Sequence, residues 1–181
     1  MSARHEVNGD SPDAAGEPIR RGRRMALIRD LFTGLLLFAA LSLSVELDLV
    51  VGSSMDPALK AGNVYVGARA NPNLDYGRIV SIEGLPEGVR ITKRIIGKAG
   101  DEIDLAGGAV FRNGEALDEP YATSPTYATG DISFPVVVPE GSLFVLGDNR
   151  QMSRDSRFSE IGMVPERSVR SSYLFLLPWT R

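Results

Sequence analysis

Polar and apolar positions fall into three blocks along this chain. Residues 1–24 are polar, rich in Gly, Pro, Ser and Asp, and close in the cluster Arg20, Arg21, Arg23 and Arg24. Such a segment has little to bury, and its composition predicts a disordered tail. Met25–Ile28, then Arg29 and Asp30, lead into fifteen apolar or small residues, Leu31–Val45. From Glu46 onward no stretch shows convincing helical periodicity. Short apolar runs of strand type take over: Val64–Val66, Ile79–Ile82, Ile91–Ile96, Ala109–Phe111, Phe134–Val138 and Leu143–Leu146. Turn chemistry separates them, as in Gly107-Gly108, Pro86-Glu87-Gly88 and Pro139-Glu140-Gly141. Val110–Leu117 reads as a hairpin on an Asn113-Gly114 turn. Many short strands between Gly/Pro turns predict a mostly β fold, antiparallel sheets in a sandwich or partly open barrel, preceded by one N-terminal transmembrane helix. Residues 118–133 are polar and punctuated by Pro and Gly, which marks a surface excursion.

The apolar run alone spans roughly 22 Å, short of the ~30 Å hydrocarbon core. Including Met25–Ile28, with Arg29 snorkelling to the interface, gives a workable anchor over residues 25–47. Five arginines, Arg20, Arg21, Arg23, Arg24 and Arg29, flank the run on its N-terminal side, and Glu46 and Asp48 follow it. That asymmetry places the N-terminus in the cytoplasm and residues 48–181 outside. A cleaved export signal shares this layout, and Ala40-Leu41-Ser42 loosely resembles a cleavage site. A buried core helix is the third reading.

The 181 residues suit one ordinary domain plus appendages, and a net charge of −3 argues against nucleic acid as a partner. The inventory narrows the chemistry further. There is no cysteine, and the single histidine, His5, lies ahead of the apolar run. If that run sits in a membrane, His5 is on the far side from everything downstream. A Ser-His-Asp triad, a Cys-His pair and a cysteine-rich zinc site are thereby excluded. Basic residues are lopsided, 17 arginines against Lys60, Lys93 and Lys98. Arginine keeps its proton in proteins, whereas a buried lysine can lose it.

Three segments carry candidate chemistry. In Gly52-Ser53-Ser54-Met55-Asp56-Pro57, the proline sets a turn, Gly52 permits close backbone approach, and Ser54 sits on a stiffened corner. In Ile91–Asp101, Lys93 shares a strand face with Ile91 and Ile95, and apolar neighbours depress an amine's pKa toward that of a usable base. Gly147–Arg157 is dense in Asp, Asn, Ser and Arg, a turn held by carboxylate–guanidinium pairs. Taken singly, each has a plainer reading: a strand-to-turn connection, an edge-strand lysine that discourages aggregation, and a polar loop.

Together the segments resemble the bacterial type I signal peptidases, membrane-bound Ser-Lys endopeptidases. The resemblance rests on Ser54-Met55 with Pro57 and Leu59, on Lys93-Arg94 with Gly97, Gly100 and Asp101, and on Gly147–Arg157. The stretch Asn113-Gly114-Glu115 to Tyr121 also resembles these enzymes, and the likeness covers roughly residues 20–175. It implies Ser54 as nucleophile, Lys93 as general base and Ser153 as the group orienting the Lys93 amine. Asp155 and Arg157 would form a structural ion pair, with Asp148 and Asn149 shaping the loop. The oxyanion region would be the backbone at Gly52 and Ser54; Gly52 stands where some members add a serine hydroxyl, and Ser53 points away if the strand is regular. Ala58, Lys98-Ala99 and Arg78 also depart from the family pattern, and none of them removes a reacting group.

The resemblance further implies acyl-enzyme cleavage of preprotein signal peptides in the bacterial cytoplasmic membrane, with small residues preferred one and three positions before the cut. The substrate would add as an extended strand beside the Ser54 and Lys93 strands. It implies the lipid bilayer as a partner and no metal or other cofactor. Three alternatives remain: a specialised relative maturing one substrate such as a conjugation pilin, a self-cleaving repressor of the SOS type, and a non-enzymatic membrane-tethered β domain that binds peptides. The repressor reading predicts an N-terminal DNA-binding helix pair, which the arginine cluster and apolar run do not provide. The terminal Tyr173–Trp179 is too short to span a bilayer and reads as a closing core strand, with Trp179 also suited to the membrane interface.

Overall fold

A computed structural model describes residues 17–70, 72–84 and 88–178, with backbone alone for 17–22. His5, the Pro86-Glu87 turn and Trp179 lie outside the described residues. Contacts divide the chain into two units, residues 1–42 and 43–181.

Helix α1 spans Glu17–Ser44. It begins inside the segment expected to be a tail and stops short of residue 47. Within it, Arg23–Ser44 is long and apolar enough to cross a membrane, 22 residues or about 33 Å. Leu31, Phe32, Leu35 and Phe38 are all exposed, so the helix is apolar around its circumference. The hydroxyls of Thr33 and Ser42 donate to the carbonyls of Arg29 and Phe38, which satisfies them without solvent.

The helix stops at Ser44 because strand β1, Val45–Leu49, pairs antiparallel with β2, Val64–Ala68, from Val45↔Ala68 to Leu49↔Val64. The sequence there alternates, with Asp48 buried and Leu47 and Leu49 exposed. Five more strands complete this sheet: β3 (Ile79–Ile82), β4 (Ile91–Lys98), β9 (Ser142–Leu146), β10 (Val164–Pro165) and β11 (Val169–Leu176). Their order is β1-β2-β11-β3-β4-β9-β10. The C-terminal run expected to close the core is thus an inner strand, between β2 and β3.

A second sheet has the order β7-β6-β5-β8, with β5 at Glu102–Ala106, β6 at Ala109–Arg112, β7 at Glu115–Ala116 and β8 at Val136–Val137. The β6–β7 hairpin turns on Asn113 and Gly114, both at positive φ (54° and 81°), the geometry that favours Asn-Gly. Only two residues of the expected Phe134–Val138 strand join the ladder, since Pro135 has no N–H to give. Residues 118–133 form no regular element.

Ile96, Phe144 and Leu146 of the first sheet pack with Ile103 and Val110 of the second. Val80, Ile82, Ile95, Val145 and Val169 fill a second cluster. The larger sheet also curls. Three strands separate β1 from β4 in its order, yet Arg90 Nη1 lies 2.5 Å from Asp48 Oδ1. The curl brings the segment after β1 beside β4.

Candidate active site

Ser54 sits on a turn built by its neighbours. Beyond β1, Gly52 adopts φ 83°, which takes the chain out of the extended form. Nothing lies within 4 Å of where a Cβ on Gly52 would stand, so φ, rather than the close approach expected from sequence, is what asks for glycine here. The same kink means that strand alternation does not decide where Ser53 points. Backbone bonds from Asp56 N–H to Ser53 O and from Leu59 N–H to Met55 O close the turn. Met55 and Leu59, both buried, plug it into a cluster with Val50, Tyr65 and Ile79. Ser54, just ahead of these apolar pegs, is half-buried, and its carbonyl accepts the Asn149 N–H at 3.0 Å.

Lys93 comes from β4, held on one side by β3 through Val80↔Lys93 and its neighbours. Only 3% exposed, it places Nζ 2.9 Å from Ser54 Oγ and 3.0 Å from the Thr92 carbonyl. Burial lowers its pKa from 10.5 to about 8, while the carboxylates of Asp155 and Asp148 work in the opposite direction. Burial wins because those carboxylates are engaged elsewhere. Asp148 takes a two-pronged bond from Arg94, at 2.8 and 2.6 Å. Asp155 accepts Arg157 Nε at 2.8 Å and Nη2 at 3.0 Å.

The 147–157 loop is thus a buried ionic scaffold. Asp155 also accepts the Gly147 N–H at 3.1 Å. Arg157 is 1% exposed and donates to the carbonyls of Arg150 and Ser153 at 2.7 and 3.3 Å. Arg150 bonds the Gly147 carbonyl at 3.0 Å and both Glu119 oxygens at 2.8 Å, which docks the 118–133 segment on the loop. A Cβ on Gly147 would stand 2.5 Å from the Ser54 carbonyl oxygen and 2.2 Å from Ser153 Oγ, so all three residues converge. Ser153 is buried beside the pair, but among the described residues its hydroxyl has no hydrogen-bond partner, Lys93 included. The amine bonds Ser54 and the Thr92 carbonyl instead.

Ser54, Lys93, Asn149, Ser153, Asp155 and Arg157 are thus linked directly or through Gly147, Asp148 is held nearby by Arg94, and Gly52 stands in the turn before Ser54. Thr92, Arg94 and Arg150 were not singled out, although each supports the site. Arg94 and Arg150 do carry a sequence signal, since they lie inside the Lys93-Arg94 and Gly147–Arg157 segments. A carbonyl acceptor such as that of Thr92 leaves no trace in residue identity.

The chain matches the family model described as signal peptidase, peptidase S26, over residues 24–177. It is similar to a signal peptidase I of Bacillus licheniformis, 37% identical over 139 residues, covering 71% of this chain and 74% of that protein. A signal peptidase I T of Bacillus subtilis strain 168 is 36% identical over 143 residues, covering 72% and 73%. A crystal structure of a signal peptidase I from Enterococcus faecalis aligns with a TM-score of 0.49 at 30% identity, over 60% of this chain and all of that one. With most of its length matched by the family model, and an apolar helix of membrane-span length ahead of a curled β sheet, the chain belongs to the signal peptidase, peptidase S26 family of serine peptidases.

Proposed function

We propose that this protein is a membrane-anchored endopeptidase that removes signal peptides from exported preproteins, with Ser54 as nucleophile and Lys93 as general base. The observation that carries it is the 2.9 Å approach of a buried amine, its pKa lowered to about 8, to the Ser54 hydroxyl. Serine is a weak nucleophile unaided, and an uncharged amine at hydrogen-bond distance supplies the missing base.

In the neutral amine the lone pair faces Ser54 Oγ–H, and the Thr92 carbonyl holds one N–H. The buried, unpartnered Ser153 hydroxyl is available to the other, which makes Ser153 a positioning residue. As Ser54 Oγ attacks the scissile carbonyl, its proton passes to Nζ and the oxyanion is held by the Ser54 N–H in the Gly52–Ser54 corner. The ammonium then protonates the leaving nitrogen, giving an ester on Ser54 and a free amine. Water, deprotonated by the same amine, hydrolyses the ester. Asp155–Arg157 and Asp148–Arg94 keep the loop fixed, with Asn149 tying it to Ser54. No step uses a metal.

The preprotein lies as an extended strand beside β4. The helix crosses the cytoplasmic membrane once, with its arginine-rich end inside and the β domain outside. Incubating the purified protein with a labelled preprotein and sequencing the product's new N-terminus tests this reading. Cleavage at the signal-peptide junction is expected from wild type and none from Ser54→Ala; turnover by Ser54→Ala would end the assignment.

A further inference from the structure

The Lys93 amine can act as a base only while neutral. Burial favours that form, and two carboxylates oppose it, Asp155 and then Asp148. β3 and β9 carry no charged residue, and the Ser54 turn, Gly52–Leu59, carries only Asp56. Asp155 is answered from within its own loop, by Arg157 two residues on. Asp148 is answered from another element. Its partner Arg94 stands on β4 next to Lys93 and reaches it with a long side chain that is 12% exposed. Whether Asp148 stays neutralised therefore depends on what keeps Arg94 in place.

Two contacts outside the ion pair do so. Arg94 Nη1 donates to the Gly77 carbonyl at 2.6 Å, and Arg94 Cζ lies 4.0 Å from the centroid of the Tyr121 ring. The negative face of an aromatic ring attracts a guanidinium and shields it from water. Tyr121 is itself well fixed. It packs against the cluster of Ile96, Phe144 and Leu146, and its phenol donates to Glu119 at 3.0 Å. Glu119 grips Arg150 through both oxygens, and the Thr123 N–H donates to the Asp148 carbonyl at 3.1 Å, so the chain is tied to the loop on either side of the ring. Burial, and then the Glu119 charge, push the phenol above its usual range, so it stays a donor to Glu119.

We propose that Tyr121 is a positioning residue for the Ser54–Lys93 reaction: its ring holds Arg94 on Asp148 and so keeps Lys93 in its neutral form. This rests on the peptidase reading above. Without the ring, water reaches the guanidinium and screens its attraction to Asp148. The Asp148 carboxylate then acts on Lys93 less opposed, and an anion beside an amine favours the ammonium. Activity is lost where the lysine titrates and regained where the pH is high enough to deprotonate it. A residue that merely props up the loop costs the same at every pH.

The test is kcat/KM from pH 6.5 to 10 for the full-length protein in detergent on one preprotein, each variant assayed below the onset of its own melting. Tyr121→Leu and Tyr121→Met fill the space without the ring face, and Tyr121→Phe keeps the face. In the Leu and Met variants the rising limb is expected to move up by about half to one pH unit. That is a loss of about three- to tenfold at pH 7, shrinking to less than about twofold by pH 10. Tyr121→Phe should follow wild type. Adding Tyr121→Leu to Arg94→Lys should move the limb no further than Arg94→Lys alone, since the ring acts through the guanidinium. An equal loss at every pH, no loss, or an additive double variant overturns the proposal. Cleavage persisting in Ser54→Ala overturns the peptidase reading and leaves Tyr121 nothing to position. A Ser54-dependent activity whose limb stays in place in the Leu and Met variants overturns the role of Tyr121 alone.

Discussion

Replacing Lys93 by methionine separates the cost of burying the amine from its use. The folded protein lowers the Lys93 pKa from 10.5 to about 8, and the group is 3% exposed. That gap, at about 1.4 kcal/mol per pH unit, means that keeping the ammonium buried costs about 3 kcal/mol at pH 7. The sign follows from proton linkage. Between pH 8 and 10.5 the unfolded chain holds a proton on this lysine that the folded chain has released, so stability rises with pH across that window. Below pH 8 the whole penalty is present; above 10.5 it is gone. Lys93→Met removes it but leaves Ser54 Oγ and the Thr92 carbonyl without their donor, a loss of about 1 kcal/mol. At pH 7 the variant should therefore be about 2 kcal/mol more stable than wild type while inactive. The advantage should vanish near pH 10 and turn into a deficit of about 1 kcal/mol once the penalty is gone. Urea unfolding of both proteins in non-ionic detergent, repeated from pH 7 to 10.5, measures this directly. A methionine variant less stable than wild type at pH 7, or a difference that does not change with pH, would refute the argument. In activity, the same pKa makes roughly 10% of the lysine neutral at pH 7, about 300-fold more than at an ordinary pKa of 10.5. kcat/KM should accordingly climb with pH and level off above about 8.

Gly147→Ala puts a methyl group 2.5 Å from a backbone oxygen of Ser54, so the turn must shift by nearly 1 Å; kcat should fall by about 100-fold, with Tm also lower. Ser153→Ala deletes a buried hydroxyl that has no partner among the described residues, so Tm should hold or rise while kcat drops roughly 10- to 100-fold, a split that a merely structural serine would not show. Asp155→Ala strands the buried Arg157 guanidinium and should destabilise by about 3–5 kcal/mol. Arg154→Ala, which breaks an exposed pair with Glu160, should leave the unfolding midpoint where it was.

The proposed nucleophile and base were legible because chemistry is scarce in this chain. One histidine placed before the apolar run and no cysteine leave serine with few possible bases, and only one of three lysines sits between strand-facing isoleucines. Strands β2, β3, β4 and β9 were legible from apolar runs, and the hairpin from Asn113-Gly114. β1 was hidden because Val45 and Leu47 adjoin an apolar helix, and the run reads as continuous until pairing with β2 draws it into the sheet. The N-terminal reach of α1 to Glu17 was equally illegible, because polar residues continue a helix without any hydrophobic pattern to mark them.

Residue types alone determined which chemistry was possible: an amine base, a hydroxyl nucleophile, and a buried set of Arg and Asp able to neutralise one another. Tertiary structure decided the rest. Ser54 and Lys93 lie 39 residues apart and meet only because the sheet curls β1 back over β4. The same curl sets Asp48 against Arg90, a contact that no local pattern encodes, because strand periodicity records which face a side chain takes and not which strand lies across from it.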